Sequence, residues 1–287
     1  MPMIKPMDEI RDGQSLELLK ELHILTRDGK INQDSRRKLK QVYHLFNFIE
    51  PLLKNLLQKD SHLTVVDHGA GKSYLGFIIY DLFFKSLNDH GHVFGIETRT
   101  DLIEKSIALQ KKLEFKKMSF LNLSVADAIT STALPATIDM VTALHACDTA
   151  TDDAIHFGIA KNAKYIVLIP CCQAEVAAAL RKNKAQQLVS PWTEVWRHPI
   201  HTREFGSHIT NVLRCLQLES YGYQVTVTEL VGLEHSMKNE IIIATRHEKP
   251  KLRPAERLKF ILSEMGLQEL EFRFNTQILP TKPANKI

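Results

Sequence analysis

From residue 62 onward, short apolar runs typical of β-strands alternate with segments of helical periodicity. The predicted strands lie at 63–67, 93–97, 118–125, 138–144 and 165–169. The helices predicted between them lie at 74–87, 101–113 and 151–160. Because strands joined by helical crossovers form right-handed β-α-β units, this order predicts a parallel sheet with helices on its faces.

Two further runs, at 223–230 and 240–245, alternate like strands, and a helix is predicted before them at 208–218. Only 9 residues separate the two runs. That is too short for a helical crossover, so we expect the runs to pair as an antiparallel hairpin. The chain is therefore predicted to be an α/β protein with a Rossmann-like sheet of seven strands, mostly parallel, with an antiparallel last strand.

The segments before and after the predicted sheet read as helical extensions. Residues 15–23 form an amphipathic segment, and 35–58 carry apolar residues at helical spacing, with Pro51 as a point where the helix can break. After residue 248 Pro and Lys become frequent, and a short helix is predicted at 254–265. We predict three units, which are an N-terminal helical extension at 1–58, a central domain at 59–247 and a C-terminal extension at 248–287.

The composition is that of an ordinary globular protein, with 44% apolar and 24% charged residues. The formal net charge of +4 permits a nucleic-acid partner without indicating one. The first residues lack the apolar core of a signal peptide, and no uncharged apolar run is long enough to span a membrane. We therefore expect a cytoplasmic protein without membrane contact. Its four cysteines lack C-x-x-C spacing, so we expect free thiols and no metal site.

The turn after the first predicted strand is the strongest local signal. An acidic residue ends the strand, and two glycines let the backbone approach a ligand at the start of a helix. A Walker A loop would need a glycine five residues before Gly71, and a dinucleotide fingerprint would need one in place of Tyr74, so neither motif fits. A site for S-adenosylmethionine (SAM) needs only the acid and the glycine pair, and a plain glycine turn is the alternative. The candidate cofactor-binding residues are Asp67, Gly69, Ala70, Gly71 and Tyr74.

Two more carboxylates follow predicted strands at the same edge of the sheet. Glu97 ends the second strand, where a carboxylate can accept hydrogen bonds from both ribose hydroxyls. Asp127 follows the third strand, where it can accept the adenine amino group, and its neighbour Ala128 is predicted to lie beside the cofactor. Each acid could instead be a solvated loop residue. Their common placement with Asp67 at strand ends favours a nucleotide site.

Residues just past the fourth predicted strand are the candidates for catalysis. His145, Asp148 and Asp152 lie there, and an imidazole or carboxylate can remove a proton from a hydroxyl or amine that attacks a methyl group. His145 is also predicted to contact the cofactor. The alternatives remain open, since His145 can be a structural hydrogen-bonding group and Asp152 can be favoured by the dipole of its helix.

The segment 181–214 is a candidate substrate lid. Both tryptophans of the chain, Trp192 and Trp196, lie in it among cationic side chains, a mixture that suits phosphate contacts and base stacking in a nucleic acid. The two tryptophans can instead pack one helix or loop onto the core. A second basic run at 36–40 reads equally well as a solvated helix face.

Two motifs resemble one branch of the class I methyltransferases. His-Ala-Cys-Asp-Thr-Ala-Thr-Asp lies at 145–152 after the fourth strand, and Pro-Cys-Cys lies at 170–172 after the fifth. The branch includes the eukaryotic tRNA ribose 2′-O-methyltransferases that act on the acceptor stem. The resemblance covers about residues 60–246 and implies SAM as cofactor and RNA as substrate. Those enzymes have glycine in place of Asp148, histidines within 173–175, and Cys/His zinc modules that this chain lacks.

Cys171 and Cys172 fit two roles. A cysteine after the fifth strand resembles in position the nucleophile of RNA cytosine-5 methyltransferases. The pair can also form a wall of the pocket as small buried residues, and we favour that interpretation.

We therefore predict a SAM-dependent methyltransferase that acts on RNA, either tRNA or rRNA. A methyltransferase of a protein or small metabolite is the first alternative. A non-enzymatic binding protein on the same scaffold is the second, and the intact Gly69, Gly71 and Glu97 argue against it. The sequence does not indicate an oligomeric state.

Overall fold

The computed structural model describes residues 9–59, 62–87, 90–144, 146, 148–170, 173–183, 194–195, 197–230, 240–247 and 250–274. Its seven strands are β1 (Leu63–His68), β2 (Gly91–Glu97), β3 (Met118–Asn122), β4 (Met140–Leu144), β5 (Tyr165–Ile169), β6 (Tyr223–Glu229) and β7 (Glu240–Arg246).

One sheet holds all seven strands in the order β3-β2-β1-β4-β5-β7-β6. The first five are parallel, and Val65 in the middle of β1 pairs with Val93 of β2 and Met140 of β4. Strand β7 lies between β5 and β6 and is antiparallel to both. The predicted Rossmann-like sheet with an antiparallel last strand is therefore confirmed.

The described helices are α1 (Leu16–Glu21), α2 (Gln33–Leu57), α3 (Tyr74–Leu82), α4 (Thr100–Lys112), α5 (Val125–Thr130), α6 (Thr149–Ala160), α7 (Glu175–Asn183), α8 (Pro199–Ser220), α9 (Leu252–Glu264) and α10 (Glu271–Phe274). None of these described helices combines the length and the apolar character that a membrane crossing needs.

Three local expectations need correction. Helix α2 continues through Pro51, because the carbonyl that loses its helical partner belongs to Asn47, which is exposed and open to water. The predicted strand at 118–125 ends at Asn122, because Ser124 caps a helix there by accepting a hydrogen bond from the Asp127 N–H. Helices α5, α7 and α10 were absent from the prediction, and α8 begins at Pro199 rather than at the predicted residue 208.

The two faces of the sheet bury separate apolar clusters, since successive residues of a strand point to opposite faces. Val65 of β1 belongs to the cluster that includes Ile49 and Leu53 of α2. Its neighbour Val66 belongs to the cluster that includes Phe157 of α6. Helix α2 thus shares its core with the sheet, and the predicted boundaries at residues 58 and 247 stay a prediction.

Helices α7 and α8 form a close antiparallel pair between β5 and β6. A Cβ added to Gly206 of α8 would lie 2.8 Å from the Cα of Ala177 of α7, so the two backbones nearly touch. Gln173, just before α7, bonds Asn211 at 3.0 Å and Ser207 at 2.6 Å in α8. Because later residues of α7 meet earlier residues of α8, α7 leads away from the carboxyl edge of the sheet and α8 returns.

Candidate active site

A cleft of about 370 Å³ opens at the carboxyl ends of the parallel strands. Its volume lies within the range of small-molecule sites, and its position is where open α/β sheets bind ligands. Its lining comes from the last residues of β1 and β2, from the residues just after β1 to β4, and from the start of α5 and α6. The lining residues include His68, Gly69, Ile96, Glu97, Thr98, Arg99, Leu123, Val125, Ala146, Ala150 and Asp153.

The glycine turn between β1 and α3 needs its two glycines. Gly69 has φ +64° and Gly71 has φ +58°, a left-handed backbone that side chains disfavour. A Cβ on Gly69 would meet the Cβ of Ala146 at 3.4 Å, so this part of the turn also packs tightly. The Ala70 N–H donates to the carbonyl of Ile96 at 2.9 Å, which fixes the turn against β2. The turn is therefore preformed, and Gly69 is the residue through which it lines the cleft.

Asp67 is buried behind this turn and does not line the cleft. Its carboxylate accepts hydrogen bonds from Ser73 Oγ at 3.1 Å, the Gly76 N–H at 3.2 Å and Thr142 Oγ1 at 3.1 Å. Burial raises its pKa to about 6, although these three donors act in the opposite direction. Asp67 thus connects β1 and β4 to the first turn of α3 and positions the glycine turn.

Glu97, at the end of β2, reaches the glycine turn. Its carboxylate accepts hydrogen bonds from the N–H groups of Gly71 at 2.8 Å, Thr98 at 2.9 Å and Arg99 at 3.1 Å. Burial opposes ionisation, but these N–H donors and the charge of Arg99 together lower the pKa of Glu97. An ionised carboxylate therefore lies at the wall of the cleft, where the sequence predicts the acceptor for ribose hydroxyls.

Five other predicted cofactor residues lie outside the cleft lining, namely Ala70 and Gly71 of the turn together with Tyr74, Asp127 and Ala128. The Asp127 carboxylate accepts a hydrogen bond from Ser124 Oγ at 2.6 Å, so Asp127 stabilises the first turn of α5 and is not a loop residue. The Ala128 N–H donates to the carbonyl of Ser124 at 2.9 Å within the same helix. Tyr74 begins α3 and packs, half-buried, against the apolar cluster on the α2 face.

Asp148 holds the loop after β4 to the start of α7. Its carboxylate accepts the N–H groups of Ala174 at 3.1 Å and Glu175 at 3.3 Å, and its carbonyl accepts Arg214 Nη2 at 2.8 Å. Its φ of +50° lies where glycine is favoured.

Asp152 forms a buried ion pair with Arg214 of α8. The guanidinium donates from Nε to Oδ1 at 2.8 Å and from Nη2 to Oδ2 at 2.9 Å, and both residues are nearly or fully buried. Asn211 Oδ1 accepts a further bond from Arg214 at 3.3 Å. The contacts of Asp148 and Asp152 favour positioning roles over proton removal. His145 lies outside the described residues, as do Cys171 and Cys172.

Two residues in the cleft escaped the sequence prediction. His68 occupies the position between the acid and the first glycine, where the turn motif specifies no residue type, so the motif does not predict a role for it. Asp153 lies on the cleft face of α6, one position after the acid that the motif singled out. Burial raises the pKa of Asp153, with the Asp152 charge adding to the rise and His156 and Arg273 opposing it. Helical spacing from Ala150 was the signal that could have identified it.

The lid segment is described at 181–183, 194–195 and 197–214. It forms the end of α7 and most of α8, and its cations are exposed apart from Arg214. Trp192 and Trp196 lie outside the described residues, so their predicted role stays a prediction.

The family model that matches the chain describes a methyltransferase domain and covers residues 37–179. No curated protein matches the sequence significantly. An rRNA methylase from Streptococcus thermophilus shares 8% identity over 66% of this chain and 89% of its own, with a TM-score of 0.40.

Two further solved structures are similar to the same extent. A precorrin-6y C5,15-methyltransferase from Geobacter metallireducens GS-15 shares 16% identity over 76% of this chain and 90% of its own, with a TM-score of 0.42. Fibrillarin from Aeropyrum pernix, with natively bound S-adenosyl-L-methionine, shares 11% identity over 65% and 67%, with a TM-score of 0.38. At these identities and TM-scores the three proteins carry no conclusion about the methyl acceptor of this chain.

Proposed function

We propose that this chain, which is a SAM-dependent methyltransferase, transfers its methyl group to RNA. SAM is the methyl donor and supplies an electrophilic methyl group on a sulfonium when it is bound. The protein must therefore hold the cofactor, hold the acceptor in line with the methyl group, and exclude water.

We assign the cofactor to the cleft at the ends of β1 and β2. Gly69 and Gly71 leave the backbone of the turn free of side chains, and the N-terminus of α3 favours the carboxylate of the amino-acid portion. Glu97 is assigned to the ribose hydroxyls because its ionised carboxylate lines the same cleft. The buried ring of His68, which has no hydrogen-bond partner among the residues that the structure describes, also fits a cleft that takes a polar ligand.

His145 remains the predicted proton acceptor for the attacking group. Asp148 and Asp152 support the loop that carries it, through the start of α7 and through Arg214. In this proposal both carboxylates position the loop and neither removes a proton.

The observation that carries the RNA assignment is a group of exposed cations at the far end of the α7–α8 pair. They are Arg181, Lys182, Arg197 and Arg203, with His198 and His201 beside them, and we call the four Arg and Lys residues the tip cations. Three of them form surface ion pairs, Lys182 with Glu269, Arg197 with Glu194 and Arg203 with Glu204. Exposed pairs of this kind contribute little free energy, so these side chains can exchange them for contacts with phosphates.

The tip cations lie far from the cleft. Arg214 bonds the carbonyl of Asp148 beside the cleft, and Pro199 starts the helix 15 residues earlier, from 199 to 214. At the helical rise per residue this separation is about 22 Å along the axis of α8. A small metabolite in the cleft would not span that distance, whereas the phosphate backbone of an RNA would.

Labelled methyl transfer from SAM to RNA fractions, and then to protein and metabolite extracts, tests the proposal. We expect incorporation into RNA. In the variant R181E/R203E we expect at least a tenfold weaker RNA affinity, a smaller dependence on salt, and an unchanged affinity for S-adenosylhomocysteine.

The variant R253E/R257E is the matched control. It changes the net charge by the same amount, on two exposed positions of α9. Helix α9 begins beside the C-terminal end of α8, where the Lys251 N–H donates to the carbonyl of Ser220, whereas the tip cations lie near the N-terminal end of α8. We expect its RNA affinity to stay near that of the wild type. Incorporation into protein or a metabolite without RNA, or equal losses in both variants, would contradict the RNA assignment.

A further inference from the structure

His68 ends β1 at the floor of the cleft. Only 6% of the residue is exposed, and its ring lies 5.3 Å from the ring of Phe157 in α6. It lines the cleft together with Gly69, Glu97 and Asp153. His68 thus packs against the core through Phe157 and also lines the cleft.

Both ring nitrogens of His68 lack a hydrogen-bond partner among the described parts of the chain, and both are buried. A buried polar group without a partner destabilises the fold, so such groups are rare in native proteins. His92 on the adjacent strand shows the usual arrangement, since its Nε2 lies 2.9 Å from Ser119 Oγ. Because His68 borders the cleft, a molecule bound there can supply the missing partner.

The ring is neutral at physiological pH. Burial lowers the pKa of His68 to about 4, and the nearby Glu97 carboxylate only partly opposes this. A neutral imidazole offers one N–H donor and one acceptor. It also avoids the repulsion that a cationic ring would exert on the positive sulfonium of SAM.

We infer that His68 is a cofactor-binding residue whose ring hydrogen-bonds the SAM molecule held in this cleft. The inference rests on the assignment of SAM to the cleft and goes beyond it, since neither the turn motif nor the strand-end carboxylates point to this side chain. Asp67 and Glu97 would then fix the position of the glycine turn, and His68 would make a hydrogen bond to the cofactor from the end of β1.

Calorimetric titration of the full chain with S-adenosylhomocysteine tests this inference. We expect His68→Leu to bind about tenfold more weakly than the wild type, the effect of one lost hydrogen bond. The melting temperature of the ligand-free variant should equal or exceed that of the wild type, because the substitution removes an unpaired buried polar group. His68→Gln, which keeps a donor and an acceptor, should recover most of the affinity.

The control is His92→Leu, which removes a histidine that already has a partner and does not line the cleft. It should bind S-adenosylhomocysteine like the wild type. If His68→Leu is folded and binds with wild-type affinity, the inference fails while the SAM site stands. If the wild type does not bind at all, the site assignment itself fails. A purely packing role would lower the melting temperature of His68→Leu, and His68→Gln would not restore binding.

If His68→Leu does not fold, the imidazole nitrogen resonances of the wild type provide the second measurement. Addition of S-adenosylhomocysteine should change the chemical shifts of the two His68 ring nitrogens. The direction of each change should show which nitrogen donates a hydrogen bond and which accepts one. Unchanged His68 resonances in a saturated complex would overturn the inference.

Discussion

Asp67 and His68 are neighbours in β1, and burial moves their pKa values in opposite directions. The pKa of Asp67 rises to about 6 from 3.8, and that of His68 falls to about 4 from 6.5. The contribution of Asp67 to stability is present below about pH 3.8 and is lost as the pH rises through about 6. The contribution of His68 is present above about pH 6.5 and is lost as the pH falls through about 4. Between these limits the two residues offset each other.

Single substitutions should separate these two contributions. Relative to the wild type, the free energy of unfolding of His68→Leu should rise by about 1–2 kcal/mol as the pH falls from 7 to 5, because the variant no longer loses the His68 contribution over that interval. That of Asp67→Asn should fall by a similar amount over the same interval. Urea titrations at both pH values measure the difference. Parallel pH profiles for the wild type and both variants would show that neither residue is perturbed as described.

At the scale of elements, Arg214 joins α8 to the loop after β4. Its guanidinium pairs with Asp152 and also bonds the Asp148 carbonyl, all within a buried region. Removing one partner of a buried ion pair leaves a charge without compensation, which costs about 3–5 kcal/mol. Replacing both partners with apolar residues avoids that penalty.

We therefore expect Arg214→Met to lower the free energy of unfolding by about 3–5 kcal/mol. The double variant R214M/D152L should recover much of this loss in chemical denaturation. If the single variant unfolds like the wild type, the pair does not hold the loop. If the double variant loses as much as the single one, the Asp148 carbonyl contact is the dominant one.

Sequence periodicity predicted every strand, because each strand is either a short apolar run or an alternation of apolar and polar residues. It missed α5, whose six residues are too few for a periodic signal. It also placed Asp127 after a strand that ended at residue 125, whereas Asp127 lies in α5. It left Asp152 without its partner, because that partner, Arg214, lies 62 residues away. Glu97 and Gly69 were found because backbone chemistry fixes them locally, whereas His68 becomes visible only when its burial and missing partners are known.

At the scale of the whole molecule, α2 is part of the core that supports the sheet. Its buried side chains, including Phe46, Ile49 and Leu53, belong to one apolar cluster with Leu63 of β1 and Phe77 of α3. Removing residues 1–58 would expose that surface to water.

A chain that begins at residue 59 should therefore lose cooperative thermal unfolding. Leu53→Ala, which removes one buried side chain from the same cluster, should lower the free energy of unfolding by about 2–5 kcal/mol and keep the transition cooperative. Calorimetry of both proteins checks this. Cooperative unfolding of the truncated chain near the wild-type melting temperature would show that the chain from residue 59 onward folds without α2.

The central claim is that SAM binds at the cleft where Glu97 meets the glycine turn. Calorimetric titration with S-adenosylhomocysteine, comparing the wild type with Glu97→Ala, tests it most directly. We predict that the wild type binds and that Glu97→Ala loses at least a hundredfold in affinity, since the ribose acceptor and the bond to the Gly71 N–H disappear together. Equal affinity in a folded Glu97→Ala variant would contradict the assignment of the cofactor to this cleft.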